Sequence, residues 1–295
     1  MKAAISCRGI GLHSGHTITM TLRPAPANSG IIFRRVDLGI EIRASWANTV
    51  ASPLCTLLAD ANGSRIGTIE HLMAALAGSE IDNVLVELDG PEVPVLDGSA
   101  APFLELIDHA GIAAQHAARR AIKICNPVQV FGDGASAALL PGHGFSMSFE
   151  IDFDNPLIRQ QDMGVSFEAD TFRTELSRAR SFCFLDEVDR MRAAGFARGG
   201  SLDNAVVVSG DRILNRGGLR YSDEFVRHKL LDAFGDLYLA GAPLIGHFRG
   251  CRSGHALTRR LLVELFADPT AWCETTLPAG APFGAVAWPL HLASA

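Results

Sequence analysis

Apolar residues recur along this chain with two periods, and the elements follow the period. Residues 17–22 (TITMTL) and 30–36 (GIIFRRV) read as strands, and the Pro/Asn/Gly-rich RPAPANSG between them reads as a turn. Over 68–78 the period becomes helical: Thr68 is a suitable N-cap, and Ile69, Leu72, Met73 and Leu76 form one apolar stripe. A strand over 81–89, the turn GPEVPVLDGS and a helix over 101–110 complete this half. Around HAARR (116–120) the pattern restarts. IKICNPVQVF, SAALLP and FSMSFEIDF (145–153) read as strands, followed by a helix over 171–177. SFCFLDEVDRMRAAGFARGGSLDNAVVV reads as strand, helix, Gly-rich loop and strand. A helix over 225–236, a short strand over 244–250 and a helix over 254–267 follow. Two such groups predict an α+β fold of two domains, 1–118 and 119–295. EHLMAALAG (70–78) and RHKLLDAFG (227–235) share His, an apolar run, Ala and Gly at equal offsets, a faint internal repeat.

Composition narrows the class. The 295 residues are 48% hydrophobic and 20% charged, ordinary for a soluble globular protein. A formal net charge of −6 argues against a general electrostatic grip on nucleic acid, while leaving room for a local basic site that binds a phosphorylated small molecule. The six cysteines are scattered without a Cys-x-x-Cys pair, which fits reduced thiols in the cytoplasm better than a disulfide framework or a zinc knuckle. The N-terminus lacks the apolar core of a signal peptide, and no apolar run reaches membrane-spanning length, so a protein without an integral membrane segment is expected.

The helix FVRHKLLDAFGD (225–236) raises the chemical question. Val226, Leu230, Ala233, Phe234 and Leu237 share an apolar face, while His228, Asp232 and Asp236 stand four residues apart on the other, with Lys229 beside them. Four-residue spacing puts the His228 and Asp232 side chains one turn apart, as two ligands of one metal require. It equally suits a solvated face with a local pair. TIEHLMAALAG offers a third ligand, because His71 lies in the first turn of its helix, where the dipole favours the neutral ring. Two His and one Asp leave an open position for water, and Glu70, next to a ligand, would be a general base. The His-Glu-x-x-His protease motif is absent, so another class of zinc hydrolase is implied. GIGLHSG (9–15) fails the dinucleotide fingerprint and reads as a tight turn, and His255 in RSGHALTRRLL reads, taken alone, as a histidine near a helix start.

Together, GIGLHSG, LRPAPANSGIIFRR, TIEHLMAALAG, IDNVLVELDGPEVPVLDGSAAPF, SRARSF, DEFVRHKLLDAFGDLYLAG and SGHAL resemble the UDP-3-O-(3-hydroxyacyl)-N-acetylglucosamine deacetylases, in order, from near residue 9 to about residue 265. These are zinc amidases of lipid A synthesis. The resemblance implies a two-domain sandwich, each domain packing a pair of helices against sheet, with the active site between them. It matches His71, His228 and Asp232 to the zinc ligands and Glu70 to the base that activates the attacking water. Iron(II) suits the same ligands. Lys229 and Ser181 match groups near the developing oxyanion, His255 the acid that protonates the leaving amine, and Asp236 its orienting partner. Phe153 matches a uridine-stacking aromatic and Arg252 a basic diphosphate contact, and residues 182–208 match an apolar passage for the acyl chain. Phe182, Cys55 and Arg198 fall among the positions expected to contact substrate. A cytoplasmic monomer acting on a UDP-sugar lipid is implied.

The chain departs from that pattern in places. Position 181 is Ser where Thr is usual, the N-terminus is short, Ala135 stands where some members carry Lys, and Pro53 and Arg198 replace apolar residues near the passage. These departures leave open a related zinc amidase acting on another N-acyl substrate. A non-catalytic binding protein on the same fold is the third reading, disfavoured because ligands, base and acid are all present.

Overall fold

The computed structural model describes residues 1–277, so the last stretch of the 119–295 half lies outside the described residues. The first half builds a five-stranded sheet in the order Ile5–Ile10, Thr17–Pro24, Val84–Leu88, Ile31–Arg35, Ile40–Arg43, antiparallel except between Ile31–Arg35 and Val84–Leu88. Alternation drives it: Ile18, Met20 and Leu22 point to one face and are fully buried, while Thr17 and Thr19 are exposed.

The second half builds a seven-stranded sheet. Its main path runs Val128–Gly132, Ala135–Leu140, Leu244–Cys251, Phe145–Phe153, Arg159–Ser166, and Arg120–Ile124 and Trp272–Thr276 extend it beside Leu244–Cys251. Phe145, Met147, Phe149 and Ile151 alternate into the core.

Helices α1 (Glu70–Gly78), α2 (Ala101–Ala110), α3 (Leu185–Ala193), α4 (Glu224–Leu237) and α5 (His255–Ala267) complete the main elements. The central event is the crossing of α1 and α4. A Cβ added at Gly235 would lie 2.0 Å from the Glu70 carbonyl oxygen and 2.9 Å from the Ala74 nitrogen, so only glycine allows the two backbones this approach. With α4 against it, α1 is buried through Glu70–Ala77, and its polar face turns inward rather than to water. Helix α4 also packs on Phe145–Phe153, and α5 on Val128–Gly132 and Ala135–Leu140. One continuous apolar cluster joins the side chains of both halves.

In the two large sheets, four strands depart from the sequence expectation: Ile5–Ile10, Ile40–Arg43, Arg159–Ser166 and Trp272–Thr276. Each lies at a margin of its sheet. Arg159–Ser166 (RQQDMGVS) has no buried residue, and its backbone pairing with Phe145–Phe153 overrides its polar composition. The strand Ile5–Ile10 runs into GIGLHSG, whose turn begins only at Leu12. The helix expected over 171–177 is a π-helical turn, Phe172–Leu176. The insertion follows its expected order: Phe182–Phe184, α3, then Val206–Ser209 parallel to Phe182–Phe184. A second small sheet, Thr49–Val50, Leu57–Ala59 and Arg65–Ile66, precedes α1. Among the described residues no helix is long and apolar enough to cross a membrane.

Candidate metal and acid–base centre

The α1–α4 crossing sets three ligand atoms face to face. His71, His228 and Asp232 are all buried, and one ligand atom of each lies within 4.8 Å of the others. Both imidazole Nε2 atoms stand 3.4 Å from Asp232 Oδ1, and the two rings meet at 77° with centroids 5.0 Å apart. Asp232 Oδ1 is shielded from solvent and has no hydrogen-bond partner among the described residues, a costly state for a buried acceptor unless a cation satisfies it. Two imidazoles and a carboxylate converging on one point match the donor set of a metal site with three protein ligands and a fourth position left open. The residues therefore fit a divalent metal.

Supporting contacts prepare the ligands. His228 Nδ1 lies 3.1 Å from the Ala179 carbonyl, so this nitrogen carries the proton and Nε2 keeps its lone pair for a metal. Burial lowers the His228 pKa to about 4 despite the opposing Asp232 charge, which keeps the ring neutral. Burial opposes the Asp232 charge, but His228, His71 and Lys229 outweigh it and hold the carboxyl below its ordinary range. Lys229 Nζ is 3.6 Å from Asp232 Oδ2.

A second cluster adjoins the first. One turn beyond Asp232, buried Asp236 accepts from His255 Nδ1 at 2.8 Å. His255 is the first residue of α5, where the helix dipole disfavours an imidazolium. Burial disfavours it too, but the Asp236 and Glu70 carboxylates prevail and raise the His255 pKa to about 9. His255 Nε2 faces Glu70 Oε1 at 3.8 Å. Glu70 is buried, and burial raises its pKa although His255 and His71 work the other way. A carboxylate that binds a proton readily thus faces an imidazolium that is charged at neutral pH, beside three residues that could hold a metal ion.

Two residues that the sequence reading passed over organise this cluster. The Thr56 backbone N–H donates to Glu70 Oε2 at 3.0 Å, and its hydroxyl donates to Asp236 Oδ1. Glu92 is buried and accepts from the backbone N–H groups of His13 and Ser14 and from the Thr68 hydroxyl. Thr68 is therefore not the N-cap of α1. It sits at φ 55°, Ile69 takes the cap position, and the hydroxyl goes to Glu92 instead. No spacing rule signals Thr56, which meets Asp236 across a separation of 180 residues.

Around this centre the remaining sequence candidates spread outward. A cavity of about 370 Å³ runs through the insertion, lined by Ser181, Phe182, Leu185, Met191 and Val207, with Leu12 from the first half. Phe182 links it to the centre, its ring 6.2 Å from that of His228. Phe153 packs edge-on to Phe182 at 5.7 Å. Arg252 is exposed on a left-handed turn (φ 50°), with its guanidinium 4.0 Å from Asp152. Cys55 is buried in a separate small cavity beside Thr56, Asp236 and His255, and burial pushes its thiol up to about 11. Arg198 does not join the cavity lining. Its backbone N–H donates to the His13 carbonyl at 3.4 Å, pinning the loop to GIGLHSG, and the residue is exposed; the arginine in the cavity wall is Arg192.

Comparison with known proteins identifies the family. Residues 1–267 match the family described as UDP-3-O-acyl N-acetylglycosamine deacetylase. Curated relatives named UDP-3-O-acyl-N-acetylglucosamine deacetylase include that of Marinobacter nauticus, 50% identical over 276 residues (92% of this chain, 90% of the relative). That of Idiomarina loihiensis is 49% identical over 278 residues (92% and 90%), and that of Vibrio vulnificus 47% over 281 residues (94% and 92%).

Proposed function

Because the chain belongs to the UDP-3-O-acyl N-acetylglycosamine deacetylase family, we propose that it hydrolyses the N-acetyl amide of a UDP-3-O-acyl-N-acetylglucosamine with a zinc ion held by His71, His228 and Asp232. The observation that carries this reading is the buried, unpartnered Asp232 Oδ1 facing two imidazole Nε2 atoms, with Glu70 and His255 alongside. Zinc bound there supplies a Lewis acid that lowers the pKa of water and polarises an amide carbonyl; iron(II) suits the same donors.

The side chains supply the rest. Glu70 takes the proton from the attacking water, and burial strengthens it as a base. Lys229 and the Ser181 hydroxyl stabilise the oxyanion that forms as water adds to the carbonyl. The charged His255, held by Asp236, donates its Nε2 proton to the sugar nitrogen, so that an amine leaves rather than an amide anion. Water and amide become acetate and a free amine, with one proton in balance. Phe153 and Arg252 serve the uridine and diphosphate, and the cavity beside Phe182 takes the acyl chain. We read the two sheet-bearing halves as two domains divided near residue 118, in a monomeric cytoplasmic enzyme of lipid A synthesis.

The test is acetate release from UDP-3-O-acyl-N-acetylglucosamine set against UDP-N-acetylglucosamine without the acyl group. A much higher kcat/KM on the acylated sugar is expected. Equal values, or turnover of only an unrelated N-acyl compound, would overturn the assignment of substrate.

A further inference from the structure

Thr56 touches both sides of the acid–base pair. Its backbone N–H occupies Glu70 Oε2 at 3.0 Å, which leaves Oε1 as the oxygen free to take a proton. Its hydroxyl has one hydrogen, and Asp236 Oδ1, a carboxylate oxygen, accepts it. The hydroxyl oxygen therefore meets His255 Nδ1, 3.1 Å away, with a lone pair. Asp236 Oδ2 faces the same nitrogen at 2.8 Å. Two acceptors around Nδ1 require that nitrogen to keep its hydrogen, so the transferable proton of His255 sits on Nε2. That atom in turn faces Glu70 Oε1, the oxygen Thr56 leaves free, at 3.8 Å.

We infer that Thr56 is a positioning residue that selects the reacting atoms of both partners, Glu70 Oε1 as base and His255 Nε2 as acid. This rests on the reading of Glu70 and His255 given above. It also accounts for how the pair is reset. The proton that Oε1 takes from water and the proton that Nε2 gives to the amine belong to facing atoms, so Oε1 can return its proton to Nε2 through one water after acetate departs. The segment carrying Thr56 lies between the small strands Thr49–Val50 and Leu57–Ala59, and its function is then to bring one residue to the seam where α1, α4 and α5 meet.

Thr56→Val keeps the shape and the backbone N–H but removes the hydroxyl, whereas Thr56→Ser keeps the hydroxyl and removes the methyl group. With metal content and melting temperature matched to wild type, Thr56→Val should lower kcat about 10- to 100-fold, at or below the low end of what a positioned acid contributes because the acid itself is still present, and leave KM unchanged. Thr56→Ser should stay close to wild type, and this variant alone decides the matter if the valine protein does not fold. Because Thr56 acts through Asp236 and His255, adding Thr56→Val to Asp236→Asn should cost little beyond Asp236→Asn itself. Wild-type kcat in Thr56→Val, an equal loss in Thr56→Ser, or losses that multiply in the double variant would overturn the inference. If His255→Gln alone kept the wild-type rate, the acid assignment would fall, and this inference with it; if Asp236→Asn alone did so, this inference would fall while the acid assignment stood.

Discussion

Gly235→Ala is a small change placed where the structure is least able to absorb it. On helix propensity alone, replacing a glycine inside α4 by alanine should stabilise the protein by about 1 kcal/mol. The crossing reverses that sign. The new methyl carbon would lie 2.0 Å from the Glu70 carbonyl oxygen and 3.0 Å from its carbon, both rigid backbone. Real contacts of this kind begin near 3.0 Å, so α1 and α4 must part by about 1 Å, an overpacking strain of about 1–3 kcal/mol. The cost reaches the metal because His71 rides on α1 while His228 and Asp232 ride on α4. Metal–ligand distances tolerate only about 0.2 Å, so binding must pull the helices back together against that strain. Up to about 3 kcal/mol corresponds to roughly a 100-fold loss of affinity. Competition with a chromophoric chelator measures the affinity, and thermal unfolding of the metal-free protein measures the strain. A Gly235→Ala protein with wild-type metal affinity and an equal or higher melting temperature would refute the reasoning.

The remaining predictions concern the centre itself. His71→Ala, His228→Ala and Asp232→Ala should each strip most of the metal, since three protein ligands leave no redundancy; stoichiometric metal in any of them, measured by elemental analysis, contradicts the ligand set. Glu70→Gln should fold and hold metal yet lose about two to four orders of magnitude in kcat, and near-normal turnover removes Glu70 from the role of base. The pH–rate profile should be bell-shaped. Burial raises the Glu70 pKa, so activity falls on the acid side while an ordinary carboxylate would still be ionised. His255, raised to about 9 by Asp236 and Glu70 against its burial, loses its proton as pH climbs through that region, so activity falls on the alkaline side. The residual activity of His255→Gln should lack that alkaline limb, and an unchanged limb would assign it to another group.

Where a residue's partners lie on its own helix, periodicity and residue chemistry make it legible in the sequence. His228, Asp232 and Asp236 were legible because four-residue spacing is a geometric statement. Their burial was not, since the same spacing suits a solvated face and only the Gly235 approach of α1 turns it inward. The pairing of His71 with that helix needed two elements to meet, which neither motif encodes, and it was the ordered set of motifs that supplied it. Thr68 shows local chemistry being overruled: a good N-cap residue gives its hydroxyl to Glu92, which also anchors the loop of GIGLHSG. Thr56 left no trace in the sequence because its three partners lie on α1, α4 and α5. Arg198, expected at the edge of the passage, lies between the lining residues Ala197 and Gly200 with its own side chain outside the lining. The composition of a Gly-rich loop does not say which of its side chains face inward, and backbone pairing with residues 12 and 13 decides it.

If one metal ion held at the α1–α4 crossing makes this chain a deacetylase, turnover must follow the metal. Titrating the metal-free protein with zinc while following acetate release from UDP-3-O-acyl-N-acetylglucosamine tests it most directly. Activity should rise from near zero and saturate at one equivalent, and the Asp232→Ala protein should show no such rise. Full turnover without metal, or unchanged turnover in Asp232→Ala under the same titration, would contradict the account.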